Sequence, residues 1–173
     1  MSKYWYMEEK FYNDELIKEQ NIPWLVGEMK RFNNPLAVTL TFPKSSNLEQ
    51  EVKKMKGIRN SPNREQAVKK LKKLHNQLSR RILKSANKNF NKMINLIPFI
   101  EGEHIDNTHF HLVLDCHYKA KTEMTRKIEQ LWSGKIQVDD IYNDAGWIGY
   151  ITKHATKDNY NDSLVVECLS LMK

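Results

Sequence analysis

His109 and His111, two positions apart in Thr108-His109-Phe110-His111-Leu112-Val113-Leu114-Asp115, are followed about forty residues later by Tyr150-Ile151-Thr152-Lys153. Successive side chains of a strand alternate between faces, so both imidazoles would point one way while Phe110, Leu112 and Leu114 enter a core. Two imidazoles on one face can grip a divalent cation. A phenol has an unperturbed pKa near 10, so a tyrosine needs a nearby cation to act as a nucleophile at neutral pH. Lys153, at i+3 on an expected helix, lies on the face of Tyr150 and could stabilise its phenolate. His154, at i+4, is a further phosphate or proton contact.

A third metal ligand would be a carboxylate from a paired strand. Glu101 and Glu103 share a strand parity, and both could face the histidines. His104 is a lesser candidate. Asp115 shares the parity of His109 and His111 but sits further along the strand, where pairing with Lys119 or Lys121 is expected rather than ligation. Tyr142, after a strand, and Tyr160, in a polar tail with no lysine three positions on, rank below Tyr150 as nucleophiles.

The elements that would position these residues follow from periodicity. In Leu36 to Phe42, apolar Leu36, Val38, Leu40 and Phe42 alternate with Ala37, Thr39 and Thr41, which predicts a half-buried strand with Thr39 and Thr41 on its other face. From Asn63 to about Asn89, Ala67, Leu71, Leu74, Leu78 and Ile82 recur at helical spacing, with Lys69, Lys70, Lys72, Lys73, Arg80 and Arg81 on the other faces. Ile94 to Ile100 suits a strand ending at Glu101. Gly102 to Asn107 then turns into the histidine strand.

Thr122 to Trp132 predicts a second amphipathic helix ended by Ser133-Gly134, and Ile136 to Tyr142 a further strand. Asn143 or Asp144 could cap a last helix from about Ala145 to Thr156, packing Ile148, Ile151 and Ala155 inward. Upstream, Glu15 to Arg31 carries weak helical patterning that Pro23 is expected to break. The tail's Leu164-Val165-Val166 could be strand or helix. The order β-α-β-β-α-β is the split βαβ, ferredoxin-like plan of the α+β class. It places two helices on one face of an antiparallel sheet and leaves the other face for a site.

The chain has 173 residues, 40% of them hydrophobic and 10% aromatic, which suits a single domain over 1–173 with a sizeable core. That core would span about 35–157, between an N-terminal extension over 1–34 and a tail over 158–173. A formal charge of +7 and a pI near 9.3 favour a polyanionic partner. Nucleic acid is preferred to an acidic membrane surface, and no segment has the length and hydrophobicity of a spanning helix. A soluble, intracellular protein is the expectation. Cys116 and Cys168 lack any CxxC or zinc spacing and read as reduced structural thiols. Basic residues able to bind DNA include Lys53, Lys54, Lys56 and Arg59 in the loop after the first strand, with Lys153 and Lys157 near the site. Tyr4, Trp5, Tyr6, Phe11 and Tyr12 could stack on bases, though packing of an N-terminal arm explains them as well.

Between Leu36 and Lys157 the chain resembles the HUH endonuclease superfamily, in particular the single-tyrosine replication initiators of rolling-circle replicons. Leu36 to Phe42 is similar to the group's first strand motif, His109-Phe110-His111 to its histidine-hydrophobe-histidine motif, and Tyr150-Ile151-Thr152-Lys153 to its Tyr-x-x-Lys motif. The resemblance implies metal-dependent nicking and joining of single-stranded DNA at an origin or hairpin, with Tyr150 as nucleophile forming a 5′-phosphotyrosine link. It makes Glu101, at the end of the strand before the histidine strand, the third ligand beside His109 and His111. Lys153 would support the nucleophile or contact the scissile phosphate. The cation would be Mg²⁺ or Mn²⁺: imidazole favours Mn²⁺ in intrinsic affinity and cellular abundance favours Mg²⁺.

A GxxxxGK[ST] helicase loop is missing from the sequence, so unwinding would need a separate helicase. A plasmid or phage setting in a bacterial or archaeal host would follow from the resemblance. Relaxases and single-strand transposases share the His-x-His and tyrosine components. Two other classes compete: a non-catalytic nucleic-acid-binding module of ferredoxin-like fold, which would call for stacking aromatics where His109 and His111 stand, and a regulatory protein with structural histidines, which predicts no metal dependence.

Overall fold

The computed structural model describes residues 19–43, 49, 55–56, 61–102, 107–117, 119–153 and 163–171. Helical residues 19–29 (α1) lead to β1 (Pro35–Thr41), α2 (Arg64–Leu83), α3 (Ser85–Phe90), β2 (Leu96–Glu101), β3 (His109–Asp115), α4 (Lys121–Glu129), β4 (Ile136–Asp140) and α5 (Asp144–Ile151). The strands form one antiparallel sheet in the order β2-β3-β1-β4. This is the α+β, ferredoxin-like arrangement: each βαβ half skips one strand position, and β3 fills the gap between β1 and β2.

Alternation along the strands separates two cores. Leu36, Val38 and Leu40 of β1, Leu96 and Ile100 of β2, and Phe110, Leu112 and Leu114 of β3 pack against the apolar stripes of α2 and α4. The opposite face is more covered than the sequence suggests. Ile97, Phe99 and Val113 pack there against Leu25, Met29 and Phe32 from α1 and its C-terminal turn, against Ile148 and Ile151 of α5, and against Leu164. Helix α1 runs through Pro23 rather than breaking at it, because Leu25 and Met29 are anchored at 0% and 1% exposure. That burial offsets the backbone bond a proline cannot donate.

Asn63 caps α2 through its Oδ1, which accepts from the Gln66 amide at 3.0 Å. The long helix expected to reach Asn89 stops at Leu83, where Lys84 takes a φ of 45°. Beyond Ile82 the apolar stripe ends, and no residue of α3 is buried. His75 and Ser79 of α2 bind both backbone groups of Ile94: the imidazole Nε2–H donates to its carbonyl at 2.8 Å, and the Ser79 hydroxyl accepts from its amide at 3.1 Å. Strand pairing therefore starts at Leu96 rather than at Ile94. Burial lowers the His75 pKa, against the pull of its bond to Ile94, which keeps the ring a neutral donor.

Pro98 fits inside β2 because its missing amide faces away from β3. Its carbonyl on that same outer edge accepts from Val165, and Leu96 exchanges both bonds with Ser170. The tail left unassigned by sequence thus bridges β2 at Leu164 and Ser170, with a 3-10 turn over Val166–Cys168 between them. Cys116 and Cys168 are buried free thiols, each pushed up to about 11, mainly by burial. No helix among the described residues is long and apolar enough to cross a membrane.

Asp115 departs from its expected pairing with Lys119 or Lys121. Those lysines pair with Glu123 and Asp140. The Asp115 carboxylate, 1% exposed, accepts instead from the amides of Asn33, Asn34 and His117 and from Asn95 Nδ2. It ties the entry of β1 to the exits of α1 and β3. Replacing it by alanine leaves several buried donors unmet, and Asp115→Ala should lower unfolding stability by roughly 2–4 kcal/mol in a denaturant titration. Lys121→Ala, which breaks an exposed pair, should leave the denaturation midpoint nearly unchanged.

Candidate metal centre and its tyrosine neighbour

Register brings the candidate ligands together. His111 lies opposite Phe99 on β2 and Thr39 on β1, and His109 lies opposite Glu101 and Thr41. Directly opposed residues of an antiparallel pair share a face, so Thr39, Glu101, His109 and His111 converge on one side of the sheet. Glu101 Oε2 stands 3.6 Å from His109 Nε2 and 3.7 Å from His111 Nε2. One donor atom from each of the three residues lies within 4.8 Å of the others.

Both imidazoles are held with Nε2 toward this centre. His109 Nδ1 is 2.8 Å from the Asn107 carbonyl, which can only accept, so Nδ1 carries the proton and the neutral ring offers its Nε2 lone pair. His111 Nδ1 makes a 3.1 Å hydrogen bond with the Thr39 hydroxyl. Such outer contacts fix the tautomer and ring orientation that a metal ligand requires. The Asn107 carbonyl is placed by a tight approach to Gly102, which has a φ of 76° and accepts from the Asn107 amide at 2.9 Å. A Cβ on Gly102 would collide with that carbonyl.

The electrostatics of the three groups are set by burial and by one another. The facing Glu101 carboxylate raises the His109 pKa, against burial. Burial pushes His111 down to about 4, with the nearby His109 and Lys153 charges acting in the same direction, so this ring is neutral at pH 7. For Glu101, burial acts upward but is outweighed by His109, His111 and Lys153, and its pKa falls below the ordinary carboxylate value. Its Oε1 is buried with no hydrogen-bond partner. A buried, ionised oxygen left unmet is costly, and a bound cation would satisfy it. Ligands at about 2.1 Å from an ion sit about 3 Å apart when adjacent, so the 3.6 and 3.7 Å carboxylate–imidazole separations are within about 0.7 Å of that spacing. The cluster could hold a metal ion.

Tyr150 adjoins it. The Tyr150 and His111 rings are 5.4 Å apart edge to face, and the Lys153 Nζ lies 3.9 Å from the Tyr150 ring centroid. Helix α5 ends at Ile151 rather than near Thr156, so Lys153 reaches Tyr150 from the following turn, over the ring face. Trp147, one helical turn before Tyr150, stacks on it at 5.3 Å and meets the His111 ring edge at 6.0 Å. The tyrosine ring thus contacts both the indole and the Lys153 ammonium. The i,i+3 spacing could have exposed this role for Trp147. Thr39 was legible as facing away from the helices, but not as the partner of His111, because register is set by the whole sheet.

Among the remaining sequence candidates, Lys56 is exposed and none of its described contacts reaches the cluster. Tyr142 is 94% exposed at the end of β4. Lys53, Lys54, Arg59, Glu103, His104, His154, Lys157 and Tyr160 lie outside the described residues, as do Tyr4, Trp5, Tyr6, Phe11 and Tyr12. No family profile, curated protein or solved structure matches the chain.

Calorimetric titration with Mn²⁺ should give one site, abolished in His111→Ala and weakened roughly 10- to 100-fold in Thr39→Val or Gly102→Ala. Because the His109 pKa is raised, protons compete with the metal from above the ordinary histidine value. Affinity should therefore fall about tenfold for each pH unit below that raised pKa.

Proposed function

We propose that the protein is an HUH-type nuclease that nicks and rejoins single-stranded DNA through Tyr150 and a divalent metal. The observation that carries this reading is the packing of Tyr150 against His111, within the same cluster as His109 and Glu101. The sequence resemblance predicts these four residues in these roles. The fold supports it too, since the cluster sits on central β3 and the tyrosine on a helix across the same sheet face.

Mg²⁺ or Mn²⁺ is the cation of choice, given two imidazoles and one carboxylate. When bound it supplies charge stabilisation for the oxygens of the phosphate under attack. The chain's own residues do the rest. Tyr150 oxygen forms a bond to phosphorus as the bond from phosphorus to the 3′ oxygen breaks, and the leaving 3′ oxygen takes up a proton. The product is a 5′-phosphotyrosine link and a free 3′ hydroxyl, and attack by a 3′ hydroxyl reverses the step and joins strands. Lys153, in contact with the Tyr150 ring, places a positive charge beside the nucleophile and the incoming phosphate. Trp147 restricts the ring between itself and His111.

The Tyr-x-x-Lys spacing favours a replication initiator acting at an origin or hairpin over a relaxase or a transposase. Wild type incubated with Mn²⁺ and a pool of single-stranded oligonucleotides should yield a denaturation-resistant protein–DNA adduct on a gel. Tyr150→Phe, His111→Ala and chelator should each remove it. An adduct that persists in Tyr150→Phe would defeat the assignment of the nucleophile.

A further inference from the structure

The helix-covered face carries a feature that the metal chemistry leaves unused. A cavity of about 340 Å³ opens between α2 and the end of α4, lined by Phe42, Lys70, Lys73, Gln77, Gln130 and Leu131 among others. Lys70, Lys73 and Gln77 stand at i, i+3 and i+7 on α2, so one helix face presents two ammonium groups followed by an amide. Both lysines are exposed, and neither has a carboxylate partner among the described ion pairs. After Glu65, α2 contains no acidic residue but has Lys69, Lys70, Lys72, Lys73, Arg80 and Arg81. Such like-charged neighbours repel along a helix, and a bound polyanion would relieve them.

The other walls are not merely charged. Phe42 is half-buried with Lys70 Nζ 5.1 Å from its ring centroid, Leu131 adds an apolar side, and the Gln77 and Gln130 amides can each donate and accept. Cations beside a flat apolar wall with paired donor and acceptor groups suit a phosphate joined to a nucleobase. The cavity also has a definite place relative to the metal centre. Phe42 follows Thr41, which pairs with His109, and the Phe42 and Phe110 rings are 6.0 Å apart. The cavity and the candidate cation site thus lie at the same end of the sheet on opposite faces.

We infer that this cavity is a second nucleic-acid subsite, which takes one base of a single strand together with its two flanking phosphates. Lys70 and Lys73 bind its phosphates, and Gln77 reads the base edge. As a contact for the strand handled at the tyrosine, it rests on the function proposed above; as a binding site, it stands on its own residues. The test separates the two by measuring binding without chemistry, in chelator and in a Tyr150→Phe background.

Fluorescence anisotropy would compare a labelled ten-nucleotide thymidine strand with an abasic strand of equal phosphate count across a salt series. Lys70→Gln/Lys73→Gln should weaken both probes roughly tenfold at moderate salt and flatten the log–log salt slope by about 1.4, for two phosphate contacts in a single strand. The exposed pair Lys88→Gln/Lys92→Gln, placed on and after α3, should leave the slope unchanged. Gln77→Ala should weaken the thymidine strand about threefold to fivefold and the abasic strand not at all. An unchanged slope in the Lys70/Lys73 variant, or an equal loss in the Lys88/Lys92 control, would overturn the subsite. Equal effects of Gln77→Ala on both probes would overturn base recognition.

Discussion

Pairing of β3 between β1 and β2 is the constraint on which the rest depends. A shift of one residue would turn His109 and His111 into the helix-packed core and expose Phe110 and Leu112, so burial of the apolar set fixes the register. The same register sets Glu101 and Thr39 beside the imidazoles. The candidate site is therefore a by-product of core packing on the far side of the sheet: precision in the ligands comes from the strands, not from a loop.

Around that constraint the protein arranges polar groups in two different ways. Asp115, at the buried end of β3, is satisfied by backbone amides and an asparagine and acts as a structural anchor. Glu101, on neighbouring β2, faces two imidazoles and keeps one buried oxygen unmet. Both are carboxylates on the same sheet face. Their partners separate a residue that holds chain segments together from one poised for a ligand.

Much of this was legible in the residues. Period-two alternation in Leu36 to Phe42 and His109 to Leu114, and the helical stripe from Ala67 to Ile82, carry the fold because each buries a continuous apolar face. His109 and His111 followed from parity, which left Glu101 and Glu103 both open, and the family resemblance pointed to Glu101. The rest depended on non-local facts. Pro23 is accommodated because α1 finds a sheet to cover, Lys84 ends α2 where its apolar stripe stops, and Asp115 meets amides more than eighty positions away. Trp147 was missed although its i,i+3 spacing from Tyr150 sets the two rings on one face of α5.

The outer side of β2 has one more consequence. Two short bridges to the tail occupy Leu96 and Phe99, while Pro98 between them has no amide and its carbonyl already accepts from Val165. An incoming strand from another molecule would find its hydrogen-bonding positions either taken or chemically incomplete. The strand that bears Glu101 is thus shielded from edge-to-edge polymerisation, and a candidate ligand stays out of reach of intermolecular sheet growth.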